Sequence, residues 1–160
     1  MASFAIERLQ TERKNWRTDH PPGFVAKPHT NKNGQMDLFN WDCLIPGLAN
    51  TPWEGGYFPL QLSYPNTYPE DPPIAIFKPP LPHVNVFPSG RVCLSILDKE
   101  NWKPSLNLRQ VLLGIQNMLN DPNPKSPASE IPYTNYMCNR TLYEAIIREH
   151  VTRWKSPTLP

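Results

Sequence analysis

Of 160 residues, 21 are proline and only 7 glycine, while 39% are hydrophobic and 11% aromatic; 16 Lys+Arg against 14 Asp+Glu leave a net charge of +2. Proline at more than twice its usual share often marks disordered or polyproline segments, but five tryptophans and this apolar content can build a core, and the length suits one domain over residues 1–160. The small net charge leaves no electrostatic footprint for nucleic acid. No apolar run approaches the ~18 residues of a membrane span, and the N-terminus lacks the apolar block of a signal peptide, so a soluble intracellular chain is expected. Cys43, Cys93 and Cys138 form no disulfide framework and no paired metal knuckle. Reduced thiols in the cytosol or nucleus are expected, with no bound metal.

The prolines act as punctuation. Residues 1–20, 105–121 and 133–156 contain none and can form helices without a break. In the first window Ile6, Leu9 and Trp16 fall close to one face, with Arg13, Arg17 and His20 on another. Then the period changes to two. A strand is expected over Phe24–Lys27, joined through a turn at Asn33-Gly34 to a half-buried strand at Phe39, Trp41, Cys43 and Ile45. Phe58, Leu60, Leu62 and Tyr64 make the next strand, and Ile74, Ile76 or their neighbours a shorter one. Leu108, Val111, Leu112, Ile115, Met118 and Leu119 follow the i, i+3, i+4, i+7 pattern of the best helix, with Asn107 and Gln110 as its cap and Asn120-Asp121-Pro122 as its stop. The third window carries Tyr136, Tyr143, Ile147, Val151 and Trp154 at similar spacing. Helix, antiparallel meander, then helices is an α+β arrangement.

Residues 79–104 keep no sustained period, and an irregular stretch this long inside a compact domain is usually functional or a misassigned element. It holds His83, Asn85 and Cys93. A thiolate exchanges readily with a thioester, and an asparagine amide aimed at the resulting oxyanion would stabilise it by a few kcal/mol. The bland alternative is a small buried hydrophobe between Val92 and Leu94; Cys43, on a strand's apolar face, and Cys138, on the last helix, keep that reading. A cysteine protease needs a base histidine beside the thiol. His20, His29 and His150 are distant, and His83 fits that role no better than a hydrogen-bonded place within its own loop. A zinc site lacks a close pair of ligands.

The chain resembles the ubiquitin-conjugating enzyme family, and within it the SUMO-conjugating branch, over residues 4–155. The motifs run in order: Glu12-Arg13-Lys14-Asn15-Trp16-Arg17 with Asp19-His20-Pro21, then Thr51-Pro52-Trp53-Glu54-Gly55-Gly56, then Tyr68-Pro69 with Pro72-Pro73. Pro88-Ser89-Gly90, Val92-Cys93-Leu94-Ser95-Ile96-Leu97, Trp102-Lys103-Pro104 and Leu112-Leu113-Gly114-Ile115-Gln116 follow. The resemblance implies the ubiquitin-conjugating fold, with an N-terminal helix, a four-stranded antiparallel meander, an active-site loop region and C-terminal helices. It implies a transferase in which Cys93 takes SUMO from the SUMO-activating enzyme as a thioester and passes it to substrate lysines as an isopeptide. Asn85 would polarise the thioester carbonyl or hold the active-site loop. Ser126, Pro127, Ala128 and Tyr133 would form the lysine's channel, and desolvation there would help the ammonium lose its proton. Arg13, Lys14, Arg17 and His20 would bind the activating enzyme and a second SUMO, partly neutralised by Glu7, Glu12 and Asp19. ATP would be used by the activating enzyme, so no cofactor is expected here. Partners would also include SUMO ligases and substrate proteins, with the chain a monomer of nucleus and cytoplasm. A ubiquitin-conjugating enzyme would share the chemistry, though the first-helix motif argues against it; an inactive partner-binding relative would lack the cysteine.

Several positions depart from the family's pattern. Val84 replaces the proline of its His-Pro-Asn motif, leaving the backbone before Asn85 freer and adding an N–H that needs a partner. Phe87 stands in place of a tyrosine, Ile74 and Ile76 in place of lysines, and Leu48-Ala49 in place of a basic pair. The family reads a large apolar residue, the target lysine and an acidic residue two further on, the last of these near Ile74, Phe87, Ser89 and Arg91. Arg91, in place of a threonine, is expected to take over that carboxylate, since guanidinium pairs with it bidentately; the alternative is a merely exposed arginine. The segment from Cys93 to Trp102 is one residue shorter than the branch's usual pattern, so residues 98–101 have no clear match.

Overall fold

The computed structural model describes residues 2–160. Helix α1 (Ala2–Thr18) leads into strands β1 (Val25–Thr30), β2 (Met36–Pro46), β3 (Tyr57–Ser63) and β4 (Ile74–Phe77), and helices α2 (Leu108–Asn120), α3 (Glu130–Cys138) and α4 (Arg140–Val151) close the chain. The strands form one antiparallel sheet in sequence order. The Asn33-Gly34 turn falls where expected: Gly34 adopts φ 80 and its N–H donates to Asn31 O at 3.0 Å. The prolines inside strands sit where the ladder tolerates them. Pro28 lies on edge strand β1 where its register breaks, and Pro59 lies just past the Leu60–Phe77 end of the β3–β4 pairing.

Trp41, Cys43, Ile45, Phe58, Leu60 and Leu62 are buried as the alternation predicts. In β4 the inward residues are Ala75 and Phe77, while Ile74 is exposed. Both α1 and α2 pack against β2. Helix α2 has the expected cap: Asn107 Oδ1 accepts from Gln110 N–H and Gln110 Oε1 accepts from Asn107 N–H, both at 2.9 Å. The third proline-free window is not one helix. Helix α3 begins earlier, with Pro132 in its first turn, where a missing N–H costs nothing. The chain then breaks at Asn139, whose side chain caps α4 through Leu142 N–H at 3.2 Å.

The buried face of α1 differs from the expected one. Ala5, Leu9, Glu12 and Trp16 are buried, and Ile6 is exposed. Glu12 turns inward because it has two partners there. Its Oε1 accepts from Arg8 Nε at 3.0 Å and its Oε2 from Leu108 N–H at 2.6 Å, so a carboxylate from α1 satisfies an N-terminal N–H of α2. Arg8 also donates to Pro104 O and Leu106 O, each at 2.9 Å. The pair ties α1, the 104–108 connection and α2 into one corner.

The irregular stretch is pinned to α2 by His83, which is fully buried. Its Nε2 meets Met118 O at 2.8 Å and its Nδ1 accepts from Asn85 N–H at 2.9 Å. These roles select the neutral Nε2–H tautomer, and burial lowers its pKa to about 4.

Two outcomes test these anchors. Glu12→Ala leaves Leu108 N–H without its acceptor and should lower the unfolding free energy by about 1–3 kcal/mol in denaturant melts. His83 binds its proton less readily folded than unfolded, so its contribution is complete above about pH 6.5 and is lost as pH falls toward 4. Stability should therefore fall with slope near one proton across that window, by roughly 3 kcal/mol in all. His150, whose pKa burial also lowers, acts with the same sign. Urea melts at several pH values read this, and a flat profile between pH 7 and 5 would contradict it.

Candidate active site

Residues 90–92 add themselves to the free edge of β4. Phe77 N–H donates to Gly90 O at 2.8 Å and Val92 N–H to Ala75 O at 2.9 Å, with Arg91 opposite Ile76. The chain reaches this edge through a tight reversal in which Gly90 N–H donates to Phe87 O and Phe87 N–H to Arg91 O. Gly90 adopts φ 94, and a Cβ there would lie 2.2 Å from Phe77 O, so only glycine fits. The reversal leaves Phe87, Ser89 and Arg91 exposed, directly before Cys93.

Cys93 is half-buried, at the wall of a groove of about 1050 Å³ that also includes Pro72, Ile74, Phe87, Ser89, Arg91 and Asp98. Burial raises the thiol's pKa, the Asp98 carboxylate adds in the same direction, and Arg91 opposes them. No described ring hydrogen-bonds this thiol. His83, the candidate base nearest in sequence, has both nitrogens committed elsewhere. The arrangement presents a reachable, mostly protonated thiol without a general base, which excludes a protease-type dyad.

Asn85 is 1% exposed. Its carbonyl accepts from Cys93 N–H at 2.8 Å. Its side-chain amide donates to Asn123 O and Ser126 O, and its Oδ1 accepts from Asn123 N–H, at 2.8–2.9 Å. All of these groups are engaged in holding the 123–126 loop beside the cysteine, so of its two expected roles the loop-holding one matches this geometry. Asn123 carried no sequence signal for this contact. Val84 does not loosen the segment: Ala128 N–H donates to its carbonyl at 2.8 Å. The added N–H is turned toward the buried hydroxyl of Tyr143, and the pair falls short of full hydrogen-bond geometry. Ser126 and Pro127 are exposed and Ala128 and Tyr133 half-buried. The loop contacts therefore bring Ser126 and Ala128 to the Asn85 side of Cys93, while none of Ser126, Pro127, Ala128 and Tyr133 lines the Cys93 groove itself.

On α1, Lys14 and Arg17 are exposed and Arg13 half-buried, and His20, two residues past the helix, is exposed too. His20 stacks on Trp16 with ring centroids 5.0 Å apart. Of the acids expected to neutralise this face, Glu12 is turned inward and Asp19 faces Arg109 at 3.6 Å. Arg13, Lys14 and Arg17 make no ion pair among the described residues. Cys43 is buried as expected, its thiol pKa raised by burial. Cys138 is not: it ends α3 rather than lying on the last helix, and it is exposed. No group of three or more His, Cys, Asp or Glu among the described residues is placed to hold a metal, and no described helix is long and apolar enough to cross a membrane.

Residues 98–101, unmatched in the sequence reading, fold into a compact turn after the short 3-10 segment Ser95–Leu97, with Asn101 N–H and Trp102 N–H both donating to Asp98 O. Asp98 thereby enters the Cys93 groove. Nothing in the sequence marks Asp98, an aspartate in the unmatched stretch between Leu97 and Trp102.

A sequence model of the family described as ubiquitin-conjugating enzyme matches residues 8–151. The SUMO-conjugating enzyme UBC9 of Caenorhabditis elegans is 46% identical over 155 residues, covering 96% of this chain and 93% of the relative. The Sumo-conjugating enzyme ubc9 of Dictyostelium discoideum is 48% identical over 149 residues, covering 92% and 94%. A half-exposed cysteine on a sheet-edge segment, a buried asparagine bracing its loop, and these matches across nearly the whole length lead to one assignment: the chain belongs to the ubiquitin-conjugating enzyme family.

Proposed function

We propose that the chain is a SUMO-conjugating transferase with Cys93 as its carrier. Its Sγ attacks the thioester carbonyl that links the modifier's C-terminus to the activating enzyme. The new C–S bond forms at Cys93 and the activating enzyme's thiolate leaves. A substrate amine then attacks the Cys93 thioester, an isopeptide C–N bond forms, and the Cys93 thiolate leaves. ATP is spent upstream by the activating enzyme, so this chain works without a bound cofactor. The observation that carries the reading is Cys93 half-exposed at the wall of a groove, its backbone pinned and no histidine bonded to its thiol. Such a site holds an acyl group and offers no histidine base to activate water against it.

In this reading Asn85 is a positioning residue whose three side-chain bonds keep the 123–126 loop in place. Ser126, Pro127, Ala128 and Tyr133 border the path of the substrate lysine, and an ammonium with an ordinary pKa near 10.4 gains from desolvation there. Arg13, Lys14, Arg17 and His20 form the contact face for the activating enzyme and for SUMO. SUMO ligases and substrate proteins are the remaining partners, and the chain acts as a monomer in nucleus and cytoplasm. Phe87, Ser89 and Arg91 form the substrate-reading side of the groove, where Arg91 is exposed and makes no ion pair among the described residues.

Mixing the chain with ATP, each activating enzyme and its modifier should give a thiol-sensitive adduct with SUMO and none with ubiquitin on a non-reducing gel. Cys93→Ser should trap a stable oxyester and lose turnover; unchanged turnover would remove Cys93 from the mechanism. Arg91→Ala should reduce transfer to peptides with an acidic residue two positions after the lysine about two- to fivefold more than to neutral ones, as an exposed pair implies. Equal losses on both peptides would make Arg91 a bystander.

A further inference from the structure

We propose that Asp98 holds the incoming lysine ammonium beside the acylated Cys93, making it a positioning residue for the amine. The inference rests on the transferase reading above and deepens it. Asp98 lines the same groove as Cys93. Its backbone is fixed on three sides: its N–H donates to Ser95 O at 3.0 Å, and its carbonyl accepts from Asn101 N–H at 3.0 Å and Trp102 N–H at 2.8 Å. The side chain is exposed and makes no hydrogen bond or ion pair among the described residues. It is therefore a carboxylate held in place with its acceptors free.

Asp71 and Glu100 line the groove too, but Asp71 already accepts from the Thr67 hydroxyl at 2.7 Å. Of the charged groups lining the groove, Asp98 and Arg91 act most directly on the Cys93 thiol, while Lys99 and Glu100 follow Asp98 on the same wall. On the loop side, Ser126 brings no charge, and its carbonyl is taken by Asn85. A cationic substrate approaching the thioester thus meets negative charge on the segment that follows Cys93. The substrate carboxylate meets a positive charge, Arg91, on the segment that precedes it. A lysine followed by an acidic residue would have its two charges oriented across the groove by these two side chains.

The physical chemistry limits what Asp98 can do. A neighbouring carboxylate stabilises the ammonium and so opposes its deprotonation. It raises amine occupancy near the thioester without generating the free amine. The ammonium first loses a proton to solvent, the neutral nitrogen attacks the carbonyl carbon, and the C–S electron pair leaves on Cys93 Sγ. The nitrogen's second proton then passes to solvent, and Asp98 is unchanged throughout. Its removal should accordingly raise KM without lowering kcat, and the effect should fade in high salt, where exposed charges are screened.

Two measurements test this. On the chain alone, Cys93 is modified with a cationic and with a neutral methanethiosulfonate in a Cys138→Ser background, and the ratio of rates is taken. The ratio cancels any change in thiolate fraction. Asp98→Asn should lower it about two- to fivefold, Asp98→Glu should restore it, and Glu100→Gln should change it less. On the SUMO-charged enzyme, Asp98→Asn should raise KM for free lysine by a similar factor without lowering kcat. Discharge by hydroxylamine, uncharged at neutral pH, should be unaffected. An unchanged reagent ratio, or equal slowing of lysine and hydroxylamine, would overturn the assignment. A lowered ratio in a chain that never forms a SUMO thioester would overturn the transferase reading and Asp98's part in it together, while leaving the local field intact.

Discussion

A relay centred on the buried side chains of His83 and Asn85 ties the irregular part of this molecule to the regular part. Met118 O at the end of α2 meets His83, His83 accepts from Asn85 N–H, and the Asn85 side chain closes on Asn123 and Ser126. The segment between β4 and α2 makes too few ladder bonds to fix its own shape, so side chains supply what secondary structure does not. The same relay makes the region intolerant of partial loss. His83 and Asn85 are desolvated, and removing a partner of either leaves a buried polar group without a match, which costs more than the bond contributes when made.

The relay also explains why the candidate nucleophile stands without a base. The histidine nearest Cys93 in sequence is spent on structure: fully buried, neutral and doubly bonded. In a hydrolase that would be a defect. In a carrier of a thioester it is protective, because a free imidazole beside the acyl group would activate water as readily as it activates the thiol. Selectivity for an amine over water must then come from how the groove presents charge and excludes solvent. Both are properties of exposed side chains that the buried relay leaves free to vary.

Much of this was legible in the residues. The α2 cap, the Asn33-Gly34 turn, the strand alternation and the irregularity of residues 79–104 each follow from local chemistry that needs no partner from elsewhere. The misreadings share a cause. Glu12 looked like part of a solvated face, yet it is buried because Leu108 N–H and Arg8 wait for it across the fold. Ile6 looked inward and is exposed because Glu12 and Ala5 take the inner stripe. The last helical window looked continuous because periodicity does not register a cap such as Asn139 within it. Cys138 was expected to be buried from its helix alone, without regard to which face that helix turns outward. Asn123 and Asp98 acquire meaning only once the relay and the compact turn at 98–101 bring them to the cysteine.

Val84 shows how the two levels trade. A proline at this point would restrict the chain before folding and remove an N–H that here finds only the Tyr143 hydroxyl at less than full geometry. Valine gives up both advantages. Yet the residues on either side are held by their side chains and not by the backbone preference of position 84, and Val84 itself is fully buried with its carbonyl bonded to Ala128 N–H. The position of Asn85 is therefore over-determined. One local restraint can be lost without moving the loop, and the loss falls on stability and on the unfolded chain, not on the geometry around Cys93.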